Sequence, residues 1–197
     1  MAQDIVMVVG LGNPGSDYKN TRHNAGALFV EALARDAGQS LRPEKKYLGH
    51  HARIQWQGIE LHLLNPATFM NRSGLSVKAL ADFFKIPPAQ ILIAHDELDL
   101  PPGTAKLKKG GGHGGHNGLR DTIAHLGTKE FQRLRIGIGH PGDSRKVTGY
   151  VLGRLGKRET EDLNAVFDET MRVLPDAASG NLAAAMNRLH SFKTTTA

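Results

Sequence analysis

The sequence predicts an α/β fold: a twisted, mixed but mostly parallel sheet with helices on its faces. Short apolar runs typical of buried strands alternate along the chain with longer segments of helical periodicity. Two runs, His51–Trp56 and Ile59–Leu64, are separated only by Gln57 and Gly58, which predicts one antiparallel hairpin. With 197 residues and 40% apolar content, the chain is expected to form a single domain over residues 1–197.

The first predicted strand, Ile5–Val9, leads into a polar, glycine-rich loop of fifteen residues, Gly10–Asn24. A connection from a strand to a helix usually needs only about two to six residues. The extra length therefore predicts that this loop builds a functional site. Its three glycines are expected to permit a positive φ or a close backbone approach to a ligand, and they are Gly10, Gly12 and Gly15.

A helix is predicted after this loop, from the spacing of Ala25, Leu28, Phe29, Ala32 and Leu33. If Thr21 caps that helix, His23 lies in its first turn. The helix dipole there disfavours an imidazolium, so the ring is expected to stay neutral, as a general base requires.

The remaining elements follow the same reasoning. A loop with Pro43, Lys45 and Lys46 precedes the hairpin. The elements predicted after the hairpin are, in order, a helix through Val77–Phe84, strands Ile91–Ala94 and Thr104–Lys109, a glycine run Gly110–Gly118, a helix through Leu119–Leu126 and a strand Phe131–Gly139. Tyr150–Leu152 is an apolar run of undetermined type. From about Lys157 the chain is predicted to be helical, with a break at Pro175, a last helix around Met186 and a frayed tail, Thr194–Ala197.

Polar residues follow the carboxyl ends of three predicted strands. Asn13, the segment Asn65–Asn71 and Asp96 all occupy such positions. Ligands of open α/β sheets bind beyond the carboxyl ends of parallel strands. If these strands are parallel, His23 and Asp96 meet, and three asparagines lie close by: Asn13, Asn71 and Asn117.

Such a constellation predicts hydrolysis. A neutral imidazole can take a proton from water, and a carboxylate on its far nitrogen fixes the tautomer and stabilises the imidazolium. Asparagine amides can orient a carbonyl or a water, or stabilise an oxyanion. The chain has no cysteine and no G-x-S-x-G elbow, so direct attack by water is the simplest mechanism.

The charge distribution predicts a polyanionic partner. The formal net charge is +6, and Gly103–Arg135 holds seven basic residues against two acidic ones. The sequence also shows neither a secretory leader nor an apolar run long enough to span a bilayer, so a cytoplasmic protein without membrane contact is expected.

Three other interpretations remain open from the residues alone. The glycines at 10, 12 and 15 match a dinucleotide-binding fingerprint, although Pro14 interrupts it and the helix begins late. His113 and His116 with His50-His51 are a candidate metal set, and Gly110–Gly118 could cradle a phosphate or form a wall of the site that carries Asn117. A non-catalytic RNA-binding module would also explain the basic residues.

Taken together, six segments resemble the bacterial-type peptidyl-tRNA hydrolase family. They occur in the family's order between residues 5 and about 152, and they are Gly10–Gly15, Tyr18–Gly26, Pro66–Asn71, His95–Asp99, Gly112–Leu119 and Arg135–Gly142. The resemblance implies a monomeric esterase, independent of metal and cofactor, that releases tRNA from peptidyl-tRNA left by aborted translation.

By the same resemblance, His23 is the base, Asp96 keeps it basic, and Asn13 reads the peptide amide. Asn71 and Asn117 would hold peptide backbone, water and the tRNA terminus. Tyr18, Phe69 and Met70 would line the cleft. Lys108 and Arg135 would grip the 5′ phosphate, in agreement with the charge cluster.

Overall fold

The centre of the fold is a seven-stranded sheet in the order β2-β3-β4-β1-β5-β7-β6, seen in a computed structural model that describes residues 2–194. The strands are β1 Met7–Gly10, β2 Arg42–Glu44, β3 Gly49–Trp56, β4 Ile59–Pro66, β5 Ile91–Glu97, β6 Ala105–Lys109 and β7 Gln132–Gly137. The helices are α1 Ala25–Asp36, α2 Ser73–Phe83, α3 Asn117–Leu126, α4 Val147–Val151, α5 Lys157–Ala178 and α6 Leu182–Ser191. The predicted fold class is confirmed.

Strand direction brings the predicted site together. β1 pairs in parallel with β4 and β5, and β5 pairs in parallel with β7, while β3 and β6 are antiparallel to their neighbours. The carboxyl ends of four strands therefore meet at one edge of the sheet, as expected. Asp96 lies inside β5 rather than after it, because β5 continues three residues beyond the predicted end at Ala94.

Apolar side chains form two layers, one on each face of the sheet. One layer joins α1, α5 and α6, where the rings of Phe29 and Phe167 meet edge-on with centroids 5.5 Å apart. The other joins α2 and α3, with Leu80 and Phe131 fully buried. These layers hold α1 and the start of α3 against the edge where the strands end.

Two glycines allow β1, β5 and α1 to touch through their backbones. A Cβ atom on Gly26 would lie 2.1 Å from the carbonyl oxygen of Ala94, and one on Gly10 would lie 2.4 Å from the carbonyl oxygen of Gly26. The ligand-related explanation predicted for Gly10 is therefore wrong, since close packing requires that glycine. A Cβ atom on Gly12 would lie 2.9 Å from the side chain of Asn24, so close packing requires this glycine as well. Of the three loop glycines, Gly15 is the one with a positive φ, +99°.

Several sequence predictions of local structure are corrected. The chain does not break at Pro175, because α5 continues to Ala178; this proline removes one hydrogen bond near the helix end, where Leu174 and Ala177 are buried. The loop around Pro43 contains the edge strand β2, and the undetermined run 150–152 belongs mostly to α4. Of the predicted frayed tail, residues 195–197 lie outside the described chain. Within residues 2–194, no helix combines the length and apolar content needed to cross a bilayer.

Candidate active site

His23 and Asp96 are in direct contact, although 73 positions separate them in the sequence. The Nδ1 atom of His23 lies 2.8 Å from Oδ2 of Asp96. The Asp96 side chain is 3% exposed and that of His23 is 14% exposed. The Nε2 edge of His23 is thus left for a ligand, beside a cavity of about 1160 Å³ that both residues line.

The backbone around His23 differs from the prediction. Arg22–Asn24 form one turn of 3-10 helix, and α1 begins only at Ala25. The hydroxyl of Thr21 donates to the carbonyl oxygen of Tyr18, 2.8 Å away, instead of capping the helix. His23 therefore lies just before α1 and not in its first turn.

Asp96 also contacts a second histidine. Its Oδ1 atom lies 2.8 Å from Nε2 of His116, the residue that precedes α3. Nδ1 of His116 accepts hydrogen bonds from the backbone amides of Gly118 (3.1 Å) and Leu119 (3.3 Å). Because an accepting Nδ1 carries a lone pair, the ring proton resides on Nε2 and His116 donates to Asp96.

These contacts shift the pKa values of the pair in opposite directions. Burial by itself lowers the pKa of His23, but the Asp96 carboxylate outweighs it and raises the pKa above the ordinary 6.5. Burial would raise the pKa of Asp96, yet the two imidazoles hold it well below its usual range. The sequence predicts that the helix dipole disfavours the imidazolium, but the pKa of His23 is raised, and Asp96 is the charge that raises it.

A third histidine, His95, is buried beside this pair. Its Nδ1 atom donates to the carbonyl oxygen of Asp96 at 2.8 Å, and its Nε2 atom is buried without a hydrogen-bond partner among the described residues. Burial lowers its pKa to about 4. His95 is therefore a neutral ring near neutral pH.

Asn13 is held from two sides. The Asn24 side chain accepts from the Asn13 amide and donates to the Asn13 carbonyl oxygen, both at 2.9 Å. The Oδ1 atom of Asn13 accepts from the backbone amide of Met70 at 2.7 Å. This hydrogen bond fixes the orientation of the side-chain amide, and its Nδ2 donor is left for a ligand in the cavity.

Most of the other predicted residues line the same cavity. Phe69 is 57% exposed there, Met70 is buried, and Asn71 and Asn117 are exposed. Tyr18 is the exception within residues 2–194: it does not line this cavity, and its ring meets that of Phe69 edge-on at 6.3 Å between centroids. Tyr18 thus lies next to the cavity, in contact with one of its lining rings.

Basic side chains form one end of the cavity. Lys108 is exposed, and Arg135 pairs with Glu97 through Nε and Oε1 at 2.9 Å. Arg133 is 2% exposed, and its guanidinium donates to the carbonyl oxygens of Gly111 and Gly112. The glycine run is thus tied to β7 and forms a wall of the cavity.

Three further residues shape the site: Asn24, which sequence reasoning did not single out, His116, which it considered as a metal ligand, and Arg133, which it counted within the basic cluster. The signal for His116 was its position directly before a predicted helix, where a side-chain acceptor satisfies free backbone amides. Arg133 was counted as surface charge. A buried arginine within an alternating strand is visible only once its carbonyl partners are known.

The predicted metal set is not assembled. His50 lines a separate cavity of about 620 Å³, and His51 pairs with His62 at 3.0 Å. Instead, His23, Asp96 and His116 have ligand-type atoms within 4.8 Å of one another. Their contacts are explained by protons on His23 Nδ1 and His116 Nε2, both directed at the carboxylate.

A buried carboxylate that orients a histidine, beside a large cavity with a basic end, is typical of a hydrolase with a large anionic substrate. Comparison with known proteins identifies the family. Residues 7–197 match the family model described as peptidyl-tRNA hydrolase. The chain therefore belongs to the peptidyl-tRNA hydrolase family.

Individual relatives agree with this membership. The peptidyl-tRNA hydrolase of Marinobacter nauticus is 87% identical over 195 residues, covering 99% of this chain and all of the relative. The peptidyl-tRNA hydrolase of Chromohalobacter salexigens is 60% identical over 190 residues, which cover 96% of this chain and 98% of the relative. The crystal structure of peptidyl-tRNA hydrolase from Acinetobacter baumannii superimposes with a TM-score of 0.93 at 47% identity, covering 98% of each chain.

Proposed function

We propose that the protein hydrolyses the ester bond between a peptide and the 3′-terminal ribose of tRNA, with water as the nucleophile. The observation that carries this proposal is the 2.8 Å contact between His23 and Asp96 at the cavity wall. Membership of the peptidyl-tRNA hydrolase family supports the substrate. The site described above is assembled within one chain, in keeping with action as a monomer, and a tRNA substrate is in keeping with action in the cytoplasm.

His23 acts as general base through Nε2. Its Nδ1 proton is directed at Asp96, so the Nε2 lone pair is available to accept a proton from water. As the water oxygen bonds to the ester carbonyl carbon, the proton moves to Nε2. The same proton then passes to the ribose oxygen as its bond to the carbonyl carbon breaks. Such a base contributes roughly 10² to 10⁴ in rate.

Asn13 stabilises the carbonyl side of the reaction. Its Nδ2 group can donate to a carbonyl oxygen or to the oxyanion that develops on it. The role taken from the family resemblance is contact with a peptide amide, and Nδ2 can fill it by donating to the carbonyl oxygen of that amide while Met70 holds Oδ1. We therefore assign Asn13 to a carbonyl oxygen of the peptide or ester.

The remaining side chains bind the two ends of the substrate. Phe69 offers an exposed ring on which a base can stack, the buried Met70 lines the cavity, and Asn71 and Asn117 supply polar contacts to the peptide and the tRNA terminus. Lys108 and Arg135 bind phosphate at the basic end.

The decisive experiment is incubation with N-acetyl-aminoacyl-tRNA in the presence of a chelator and without added cofactor. The wild-type protein should release the N-acetyl amino acid, and His23→Ala should reduce turnover by roughly 10² to 10⁴ while binding tRNA normally. His125→Ala is a matched control, since His125 lies outside the cavity lining within the described residues, and it should keep wild-type turnover. Binding of tRNA without release would support a non-catalytic module instead.

A further inference from the structure

Arg22, the neighbour of His23, directs its whole guanidinium group away from the cavity. Nε and Nη2 lie 2.8 Å and 3.0 Å from the two carboxylate oxygens of Glu159, near the start of α5. Nη1 donates to the carbonyl oxygen of Tyr150 at 3.0 Å, and the group stacks over the Tyr150 ring at 4.2 Å. The side chain is 17% exposed, and the hydrogen bond to Glu159 raises its pKa.

The backbone on either side of Arg22 is bound to the same region. The Arg22 amide donates to the carbonyl oxygen of Gly153 at 3.0 Å, and the Leu155 amide donates to the carbonyl oxygen of Asn20 at 2.9 Å. A Cβ atom on Gly153 would lie 2.5 Å from Nη1 of Arg22, so the contact requires a glycine there. We call residues 144–155 the α4 wall.

The α4 wall forms one side of the larger cavity. Its lining residues are Ser144, Val147, Thr148, Val151 and Leu152. These side chains face the space that the proposed substrate occupies. Arg22 therefore connects the turn that carries His23 to a surface that contacts substrate.

From this arrangement we infer that Arg22 is a positioning residue, which fixes the α4 wall relative to His23, and not a phosphate ligand. The inference rests on the proposed function for the identity of the substrate. An arginine beside the base of an enzyme with a polyanionic substrate would ordinarily be assigned to phosphate binding. Here Glu159 and Tyr150 already occupy its Nε, Nη1 and Nη2 groups.

Loss of the Arg22–Glu159 connection should raise KM by a larger factor than it lowers kcat. The His23 ring is held independently by Asp96, so the base keeps its orientation when the α4 wall moves. The α4 wall contributes binding surface, and its displacement weakens substrate binding.

The test uses Arg22→Gln and Glu159→Gln, with steady-state kinetics on N-acetyl-aminoacyl-tRNA over a series of salt concentrations. Each variant should raise KM by roughly tenfold, because each breaks the same pair of charge-assisted hydrogen bonds. The kcat should fall less than KM rises, and the pH midpoint of kcat/KM should stay unchanged. The double variant should raise KM by less than the product of the two single effects, since the two variants share the loss of the Arg22–Glu159 interaction.

The salt dependence separates positioning from phosphate binding. In Arg22→Gln the slope of log KM against log salt should equal that of the wild type, because no phosphate contact is lost. Arg188→Gln is the matched control: it breaks an ion pair with Glu169 between α5 and α6, and it should lower stability with KM unchanged. A slope reduced in Arg22→Gln, or a normal KM in Glu159→Gln, would overturn the inference.

Hydrogen exchange provides a readout that does not depend on turnover. In Arg22→Gln, the amides of α4 should exchange faster than in the wild type, whereas those of α3 should not change. Absence of turnover in the wild type would refute the proposed function alone. Unchanged exchange in α4 would refute the positioning role alone.

Discussion

The Nε2 atom of His116 lies 2.8 Å from Oδ1 of Asp96, and the direction of this hydrogen bond is fixed by the backbone of α3. The amides of Gly118 and Leu119 both donate to Nδ1 of the same ring. The imidazole thus serves at once as the cap of α3 and as a donor to the carboxylate that orients His23. One residue couples a helix start to the proposed base.

Two variants of His116 separate these functions. In His116→Asn, Oδ1 can replace Nδ1 as the cap but the donor to the buried Asp96 carboxylate is lost, so kcat should fall roughly tenfold and the unfolding free energy should drop by about 1 to 3 kcal/mol. In His116→Gln, the side-chain amide can still reach Asp96 but the cap is lost. That variant should keep most of kcat and lose about 1 kcal/mol of unfolding free energy. Wild-type kcat in His116→Asn would show that the second hydrogen bond to Asp96 is dispensable.

The pH dependence of turnover should report the raised pKa of His23. The base is active when neutral, so kcat/KM should fall as the pH drops through a pKa above the ordinary 6.5. Asp96→Asn removes the carboxylate, so this midpoint should move to lower pH, and kcat should fall by roughly 10² to 10⁴. Asp82→Asn, on the exposed face of α2, is the control and should leave both quantities unchanged. If the midpoint does not move in Asp96→Asn, the group that titrates in the pH profile of kcat/KM is not His23.

The basic end of the cavity should determine the salt dependence of KM. Lys108→Ala and Arg135→Ala should each raise KM and reduce the slope of log KM against log salt by about one, because each removes one phosphate contact. Lys78→Ala serves as control, since that lysine pairs with Asp82 on the surface of α2. Equal slopes in all three variants would place Lys108 and Arg135 outside the tRNA interface.

His95 should make the protein less stable in mild acid. Its pKa is about 4 in the folded protein and near 6.5 when exposed, so its contribution is complete above pH 6.5 and is lost as the pH falls towards 4. Within that window the loss is about 1.4 kcal/mol per pH unit. In His95→Asn, whose amide can still donate to the Asp96 carbonyl, denaturant unfolding should depend less on pH. If the free energy of unfolding has the same pH dependence in the wild type and in His95→Asn, the pKa of His95 does not differ between the folded and the unfolded chain.

The meeting of His23 and Asp96 could be predicted from the sequence on the condition that the strands are parallel. Polar residues followed the ends of the predicted strands, and parallel strands place their carboxyl ends together. The contacts of His116 and Arg22 could not be predicted in this way. Each depends on a partner from a distant segment, namely Asp96 for His116 and Glu159 for Arg22.

Local errors had physical causes of the same kind. A proline normally ends a helix, yet buried side chains carry α5 past Pro175. Glycines before a helix are typical of ligand loops, yet Gly10 is required by the approach of α1. In both cases tertiary packing overrides a local preference.

The backbone contact between Gly26 and Ala94 has a consequence for how the family diverges. Because main chain meets main chain there, the spacing of the turn that carries His23 from the strand that carries Asp96 is insulated from the volumes of surrounding side chains. Lineages can therefore exchange apolar residues in both layers over evolutionary time without retuning the reaction centre.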